Sequence, residues 1–550
     1  MLHIWVGRAG SGKSRRVLEA MEKNRRLRRQ VLLVPEHISH EAEVDLCRAL
    51  GPTASRDAEV LSFRSLSSRV LAETGGLAEF TLDNGGKLLT MRRVLQELAP
   101  ELRVFGRPSQ RASFLRQLTD LTEEFYAYEI GPQALYRQVE DLDGAMGGKL
   151  RDIALIYAAY DARLRSGDFD ARSRLQKLRE HLEGSGYLRG CDVYLDGFSY
   201  FNRQEESILE LVLRQAEGVT VTLLGDRSSD RLFQNALRQR MRLERMARRA
   251  GQETDVLWCE SRGQGPLGHL EAHFFGQEVP YDGEPEGLGL YQAATAFTEV
   301  EWVSQQLRQL AAEGYRWRDM GVCARNMEVY GPLLESVFRR DGIPAYISRR
   351  SDLLEKPPIT MLLGALDAVT GGFDREDVFR CLKTGLGGIT PDECDILENY
   401  VILWDIRGSS MWLREGDWTA SPDGYGRELT ERSAARLERV NGIRRRVRLL
   451  LEPLYRGMRT AGAARQKAEC LYGFLQEAGV PQTLEDTAKK LLEEDRPQLA
   501  EEYVQLWAIF CGVLDQFAEI LGDTELSGEE FARLLRLVVT QYSVGTIPAT

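Results

Sequence analysis

Leu2-His3-Ile4-Trp5-Val6-Gly7-Arg8-Ala9-Gly10-Ser11-Gly12-Lys13-Ser14, at the start of the chain, decides the fold class. Residues 2–6 are a short apolar strand, a glycine loop follows, and residues 14–26 form an amphipathic run. The order is therefore strand, turn, helix, the context that a phosphate-binding loop requires. The glycines let backbone N–H groups turn inward around phosphates, Lys13 places a positive charge on the β- and γ-phosphates, and Ser14 offers a hydroxyl to Mg2+. Gly7, Arg8, Ala9, Gly10, Ser11, Gly12, Lys13 and Ser14 are thus the candidate ATP-binding residues, with ATP and Mg2+ as the expected cofactors.

Outward from the loop, Val31-Leu32-Leu33-Val34 is a second apolar strand that ends at Pro35, and residues 37–50 look helical. This β-α-β-α opening implies a parallel sheet with right-handed crossovers. Helical periodicity then takes over, as in Phe114, Leu115, Leu118, Leu121, Thr122 and Phe125. Strand signals return as Val193-Tyr194-Leu195-Asp196 and Val219-Thr220-Val221-Thr222-Leu223-Leu224-Gly225-Asp226. A Gly-, Pro- and Glu-rich stretch over residues 275–289 reads as a linker. Beyond it, Leu290-Tyr291-Gln292-Ala293 and Met320-Gly321-Val322-Cys323-Ala324-Arg325 read as strands around a helix at 299–312. The expected architecture is α/β, with two parallel-sheet cores that each carry a large helical insertion. The first core takes 1–80 and 190–275 with its insertion at 81–189, and the second, incomplete core takes 289–357 with its insertion at 358–540.

Composition narrows the class. With 550 residues, 43% hydrophobic and 28% charged, the chain has ordinary globular make-up and room for roughly three or four domains. No uninterrupted apolar run of about 18 residues occurs and Met1 leads straight into a strand, so a cytoplasmic protein without a membrane segment is expected. The eight cysteines lie far apart with no C-x-x-C pair, which gives no cysteine cluster for a metal. His269 and His273 are four apart but enclose Leu-Glu-Ala, so they read as surface histidines. Net charge is −11, and any nucleic-acid site must then be a local basic channel. The candidates are Arg25-Arg26-Leu27-Arg28-Arg29, the arginine-rich stretch from 238 to 249, and Arg444-Arg445-Arg446, although each also reads as a solvated helix face.

Asp196 ends an apolar strand and is the candidate Mg2+-coordinating carboxylate, with Asp226 after the next strand a weaker sensor candidate that also reads as a turn residue. The assembled pieces resemble a known family, the AddB subunit of the bacterial AddAB (RexAB-type) helicase–nuclease, a relative of the RecBCD machinery and of superfamily 1 helicases. The resemblance rests on residues 7–14, Leu-Val-Pro-Glu at 33–36, Leu-Ser-Phe-Arg-Ser-Leu at 61–66 and Asp-Gly-Phe-Ser-Tyr-Phe-Asn-Arg-Gln-Glu at 196–205. It continues through Gly-Tyr-Arg-Trp-Arg-Asp-Met-Gly-Val-Cys-Ala-Arg at 314–325, Leu-Lys-Thr-Gly-Leu at 382–386 and Leu-Glu-Asn-Tyr at 397–400, all in the family's order.

The resemblance implies a P-loop fold with two RecA-like cores and a motor that has lost function. It implies an AddA-type helicase/nuclease partner in a heterodimer, and a role in guiding single- and double-stranded DNA and scanning for the recombination hotspot Chi during double-strand-break processing. It also implies a C-terminal nuclease region with a four-cysteine [4Fe–4S] cluster, which is not in this sequence, so a truncated chain is expected and 5′–3′ exonuclease activity only where that region is present. Gly197 stands where a helicase of this type has a glutamate to polarise water, which points to binding with little turnover. Arg325 stands where superfamily 1 helicases place arginines near the nucleotide. The family's Chi-reading glutamine, arginine and tryptophan fall at His37, Ser65 and Ser68, so those contacts are not carried over, while Phe63 and Phe201 remain as candidates to stack on bases. Two other readings stay open: a stand-alone P-loop NTPase or kinase with helical lids, and a structural clamp on DNA with a vestigial loop.

Overall fold

The computed structural model describes the chain except for residues 52, 76–81, 107–111, 140–141, 143, 167–173, 228–230, 261–262, 276–278, 348–352, 461, 495 and 543–550. It divides into two compact units. The first comprises Met1–Thr81 and Asp120–Leu290, the second Leu82–Thr119 and Tyr291–Thr550. The helical stretch expected at 81–189 is therefore shared between them.

The first unit is an α/β domain built on a six-stranded sheet. Its strands are β1 (Leu2–Gly7), β2 (Arg29–Leu33), β3 (Ala58–Leu61), β4 (Cys191–Leu195), β5 (Gly218–Leu224) and β6 (Thr254–Cys259), in the order β3-β2-β4-β5-β1-β6. Every pairing is parallel. Parallel neighbours need crossover connections, and helices supply them on both faces. The face carrying Leu2, Ile4, Val6, Val31 and Leu33 packs against α3 (Phe63–Thr74), α4 (Arg174–Gly184), α5 (Arg203–Gln215) and α6 (Gln234–Arg249). The opposite face, with Leu32, Val34, Val60 and Tyr194, packs against α1 (Lys13–Lys23) and α2 (Ser39–Leu50). Alternation along β2, with Val31 and Leu33 on one side and Leu32 and Val34 on the other, is the period-two rule of a strand buried on both faces. A surface helix, α7 (Gly265–His273), follows β6 and buries none of its residues.

Among its described residues the second unit is helical apart from a two-stranded antiparallel ribbon, β7 (Gly462–Ala463) with β8 (Glu525–Leu526). Here the sequence expectation is corrected. The helices of the expected second core form as α8 (Ala296–Ala312) and α9 (Met327–Asp341), packed through Val300, Leu334, Val337 and Phe338. Residues 290–293 and 320–325 make no strand. A strand exists only as a member of a ladder, and among the described residues these two segments have no neighbour to pair with. Their apolar side chains, Leu290, Tyr291 and Val322 among them, are exposed. One stretch of the described residues, Leu499–Leu521, is long and apolar enough to cross a membrane. It packs Leu506, Phe510, Val513 and Phe517 into this unit's core.

A long helix, α10 (Glu431–Arg459), organises the rest. From it Asn441 makes a reciprocal pair of 2.9 Å hydrogen bonds with the Trp418 backbone, its Oδ1 accepting from N–H and its Nδ2 donating to C=O. One turn on, the buried Arg444 lies over the Trp418 ring and donates to the carbonyls of Gly416 and Arg414. These contacts tie residues 414–418 to the helix. Asn441→Ala strips a buried N–H and a buried C=O of their partners at once, so we expect a loss of about 2–3 kcal/mol, measured as a lower urea midpoint by tryptophan fluorescence.

Candidate functional site

The loop of residues 7–14 lies at the C-terminal end of β1, between the ends of β5 and β6. Gly225 N–H donates to the Gly7 carbonyl at 3.1 Å. A side chain on Gly7 would meet Ser11 Oγ at 2.3 Å and the Cys259 carbonyl at 2.8 Å, so only glycine passes between them. Gly10 and Gly12 adopt φ of 72° and 81° with nothing within 4 Å of a would-be Cβ. The loop thus turns through left-handed backbone and keeps its outer side open. α1 begins with no side-chain cap and no acidic residue in its first turn, which leaves its N-terminal N–H groups and positive dipole end for an anion. Lys13 Nζ folds back onto the loop, donating to the carbonyls of Gly7 and Arg8 at 2.7 Å each. Burial draws its ammonium below the ordinary lysine value, and the charges of Asp196, Cys259 and Glu271 oppose that shift. Ser14 is exposed at the start of the helix.

Asp196 follows β4 beside this loop. Its backbone N–H donates to Leu33 and its Oδ1 accepts from Thr222 Oγ1 at 2.5 Å. Thr222 is a neighbour of Asp196 that sequence reading missed; β5 carries threonines at both 220 and 222, and nothing local distinguishes the one that reaches Asp196. Gly197 explains why no glutamate follows. Its φ is +81°, and a Cβ there would stand 2.6 Å from Ile38 Cδ1. Asp226 is held by Arg8 of the loop at 2.6 and 2.8 Å. Arg8 also donates to the Glu271 carbonyl at 2.6 Å and lies over the Phe233 ring.

The remaining candidates fall elsewhere. Phe63 (6% exposed) and Phe201 (2%) pack against Phe198, at ring separations of 5.5 and 5.0 Å. This corrects the expectation that they stack on bases: both belong to the core of the first unit. His37 is exposed in a short turn, Glu36–Ile38, and the neighbouring Glu36 carboxylate accepts from Ser62 Oγ at 2.8 Å. Ser65 is consumed by the Ser62 capping box that starts α3, and Ser68 donates to the Arg64 carbonyl. Arg325 is exposed in the second unit and follows an extended segment rather than a strand. His269 and His273 lie side by side at 4.5 Å, and no group of residues able to hold a metal occurs among the described residues.

Two of the three basic stretches are committed to internal partners. Arg25 pairs with Asp57, Arg28 with Asp192, and Arg29 with Glu59 and the Tyr187 ring. In the other, Arg444 is buried, Arg445 pairs with Asp417 and Glu438, and Arg446 with Glu393. On α6, Arg240, Arg242 and Arg249 pair with Glu244, Glu206 and Glu210, while Arg238 and Arg245 are exposed. This stretch lines a cavity of 1320 Å3 formed with α5, α7, the loops after β4 and β5, and residues Arg8 and Ala9 of the glycine loop.

A parallel α/β domain with a glycine loop between its first strand and first helix is consistent with a RecA-like fold. Residues 4–271 match the family described as "ADDB, N-terminal". The chain is 34% identical over its whole length to an ATP-dependent helicase/deoxyribonuclease subunit of Desulforudis audaxviator, covering 50% of that protein. It is 34% identical over 99% of its length to the protein of the same name from Pelotomaculum thermopropionicum, covering 49%, and 31% identical over its whole length to that of Acetivibrio thermocellus, covering 50%. The chain belongs to the AddB family and spans about half the length of the curated relatives it matches.

The Gly197 backbone gives a direct check. Gly197→Ala forces a side chain into left-handed backbone and against Ile38, and should cost about 1–3 kcal/mol. Equilibrium denaturation of the purified variant measures the loss.

Proposed function

We propose that the chain binds ATP with Mg2+ at residues 7–14 and serves as the helicase-like subunit of a heterodimeric, cytoplasmic ATP-dependent helicase/deoxyribonuclease that processes double-strand DNA breaks for recombination. The observation that carries the nucleotide reading is the combination of an uncapped α1 N-terminus, two left-handed glycines open to solvent, and Lys13 resting on the loop carbonyls. Those residues fit a polyphosphate. The backbone N–H groups of the loop and Lys13 would hold its β- and γ-phosphates, and Ser14 and Asp196 would hold the metal ion, which supplies charge neutralisation.

The partner would be an AddA-type helicase/nuclease subunit, and double- and single-stranded DNA the substrates; the shared names and family of the relatives support this. A motor with little turnover is favoured by Gly197, because the residue after Asp196 is held in backbone that disfavours the side chain needed to polarise water. In that reading the first unit guides DNA and scans it for a recombination hotspot, while the partner subunit translocates. Nuclease chemistry with its iron–sulfur cluster belongs to the family's C-terminal region.

Titration with a fluorescent ATP analogue tests the loop. Lys13→Ala should weaken binding at least about tenfold, the loss of one charge-assisted contact of about 1.5–3 kcal/mol. Unchanged affinity would remove the loop from the reading. Because burial lowers the Lys13 pKa and only its charged form attracts phosphate, affinity should fall as pH rises through that lowered value, sooner than an ordinary lysine would allow. ATP hydrolysis by the chain should stay near background with and without single-stranded DNA; rapid DNA-independent turnover would favour a stand-alone NTPase. Failure to co-elute with an AddA-type subunit in size exclusion would reject the partner.

A further inference from the structure

The cavity beside the glycine loop measures 1320 Å3, above the range of about 300–1,000 Å3 usual for small-molecule pockets. Along α6, Arg238, Arg242, Arg245 and Arg249 line it at spacings of four, three and four residues. That spacing puts them in one row on one helix face. At 1.5 Å per residue the row is about 16 Å long. Arg242 and Arg249 are partly neutralised by Glu206 and Glu210 of α5, at 3.0 and 3.1 Å. Arg238 and Arg245 have no carboxylate partner among the described residues. Across the whole lining, arginines outnumber glutamates six to three, on a protein whose net charge is −11.

The lining also carries exposed aromatic rings. Tyr200, in the loop after β4, is 70% exposed, and Phe274 and Phe275, at the end of α7, are 67% and 74% exposed. With Tyr128, 65% exposed, four large rings stand in water beside a row of guanidiniums, an unusual surface for an acidic domain. An acidic peptide would use the arginines and leave the rings idle. A flexible polymer with phosphates along one edge and planar bases along the other uses both.

We infer that this groove binds a single-stranded polynucleotide a few nucleotides long, with Arg238 and Arg245 taking phosphates and Tyr200, Phe274 and Phe275 stacking on bases. The inference rests on the DNA-acting reading above and adds a location to it: the face of α6, whose groove the mostly buried Phe201 helps to wall. Recognition of this kind depends on backbone charge and stacking, so it is tolerant of base sequence.

The test is fluorescence anisotropy of the chain with labelled oligo(dT) and oligo(U) of about 12 nucleotides, over a series of salt concentrations, with a DNA duplex and poly-glutamate as competitors. Two variants are compared, R238E/R245E and Y200A/F274A, all four positions being exposed. The wild type should bind a single-stranded probe with affinity that falls with salt. R238E/R245E should weaken it at least about tenfold and flatten the log–log salt slope by about 1.4, two phosphate contacts at 0.7 each. Y200A/F274A should weaken binding about tenfold with the slope unchanged, a signature of lost stacking. The ratio of dT to U affinity says whether the strand is DNA or RNA. Absence of binding, equal affinity of wild type and both variants, or competition by poly-glutamate as strong as by unlabelled oligonucleotide would overturn the inference. Lys13→Ala separates the two readings: it should lose ATP and keep the oligonucleotide, whereas the groove variants should do the reverse.

Discussion

The glycine loop hangs from β1, and β1 is fixed by two parallel ladders to strands far along the chain, with Leu2 opposite Val219 on one side and Thr254 on the other. Neither ladder is local, so the loop takes its shape only once the sheet is complete. Gly7 is pinned by Gly225 N–H from the end of β5 and backed by Cys259 of β6. Arg8 is tied to Asp226, just past the end of β5. Asp196, on the far side of β5 from β1, reaches the same region because Thr222 of β5 donates to it. The carboxyl ends of adjacent parallel strands converge on one rim, which is where ligands of open α/β sheets gather.

Much of this rim was legible in the sequence, because the features that make it are local. The run from Leu2 to Ser14 specifies strand, loop and helix by residue type alone, and the apolar strands before Asp196 and Asp226 announce themselves by length and β-branching. β6 escaped notice. Its sequence, Thr-Asp-Val-Leu-Trp-Cys, ends in an apolar run as long as that of β2, and only its burial alternates as an edge strand's does, which a linear reading does not show. The opposite error occurred at residues 290–293 and 320–325, where local β-propensity is present but a ladder partner is not. Propensity describes how well a side chain fits a pleated surface, and says nothing of whether that surface exists.

The aromatic and arginine residues show the same limit. Phe63 and Phe201 beside strands were open to either a packing or a stacking role, and only the position of Phe198 between them settles that they are core. Three arginine runs of similar composition separate by their partners. Two meet carboxylates brought from distant segments, such as Asp57 and Asp417, and one keeps a face clear because α5 supplies only two acidic residues along it. Pairing across sequence distance is invisible to a linear reading.

Arg8 links the two halves of the rim. The phosphate-loop pattern leaves its position unspecified, so nothing in the motif requires an arginine there. In the fold that side chain bonds Asp226 and the Glu271 carbonyl, covers the Phe233 ring, and contributes to the lining of the groove beside α6. The backbone of residue 8 meanwhile provides one of the two carbonyls on which Lys13 rests. The glycine loop and the groove therefore share the Arg8 side chain, which is anchored on one side by Asp226 and on the other by the Glu271 carbonyl.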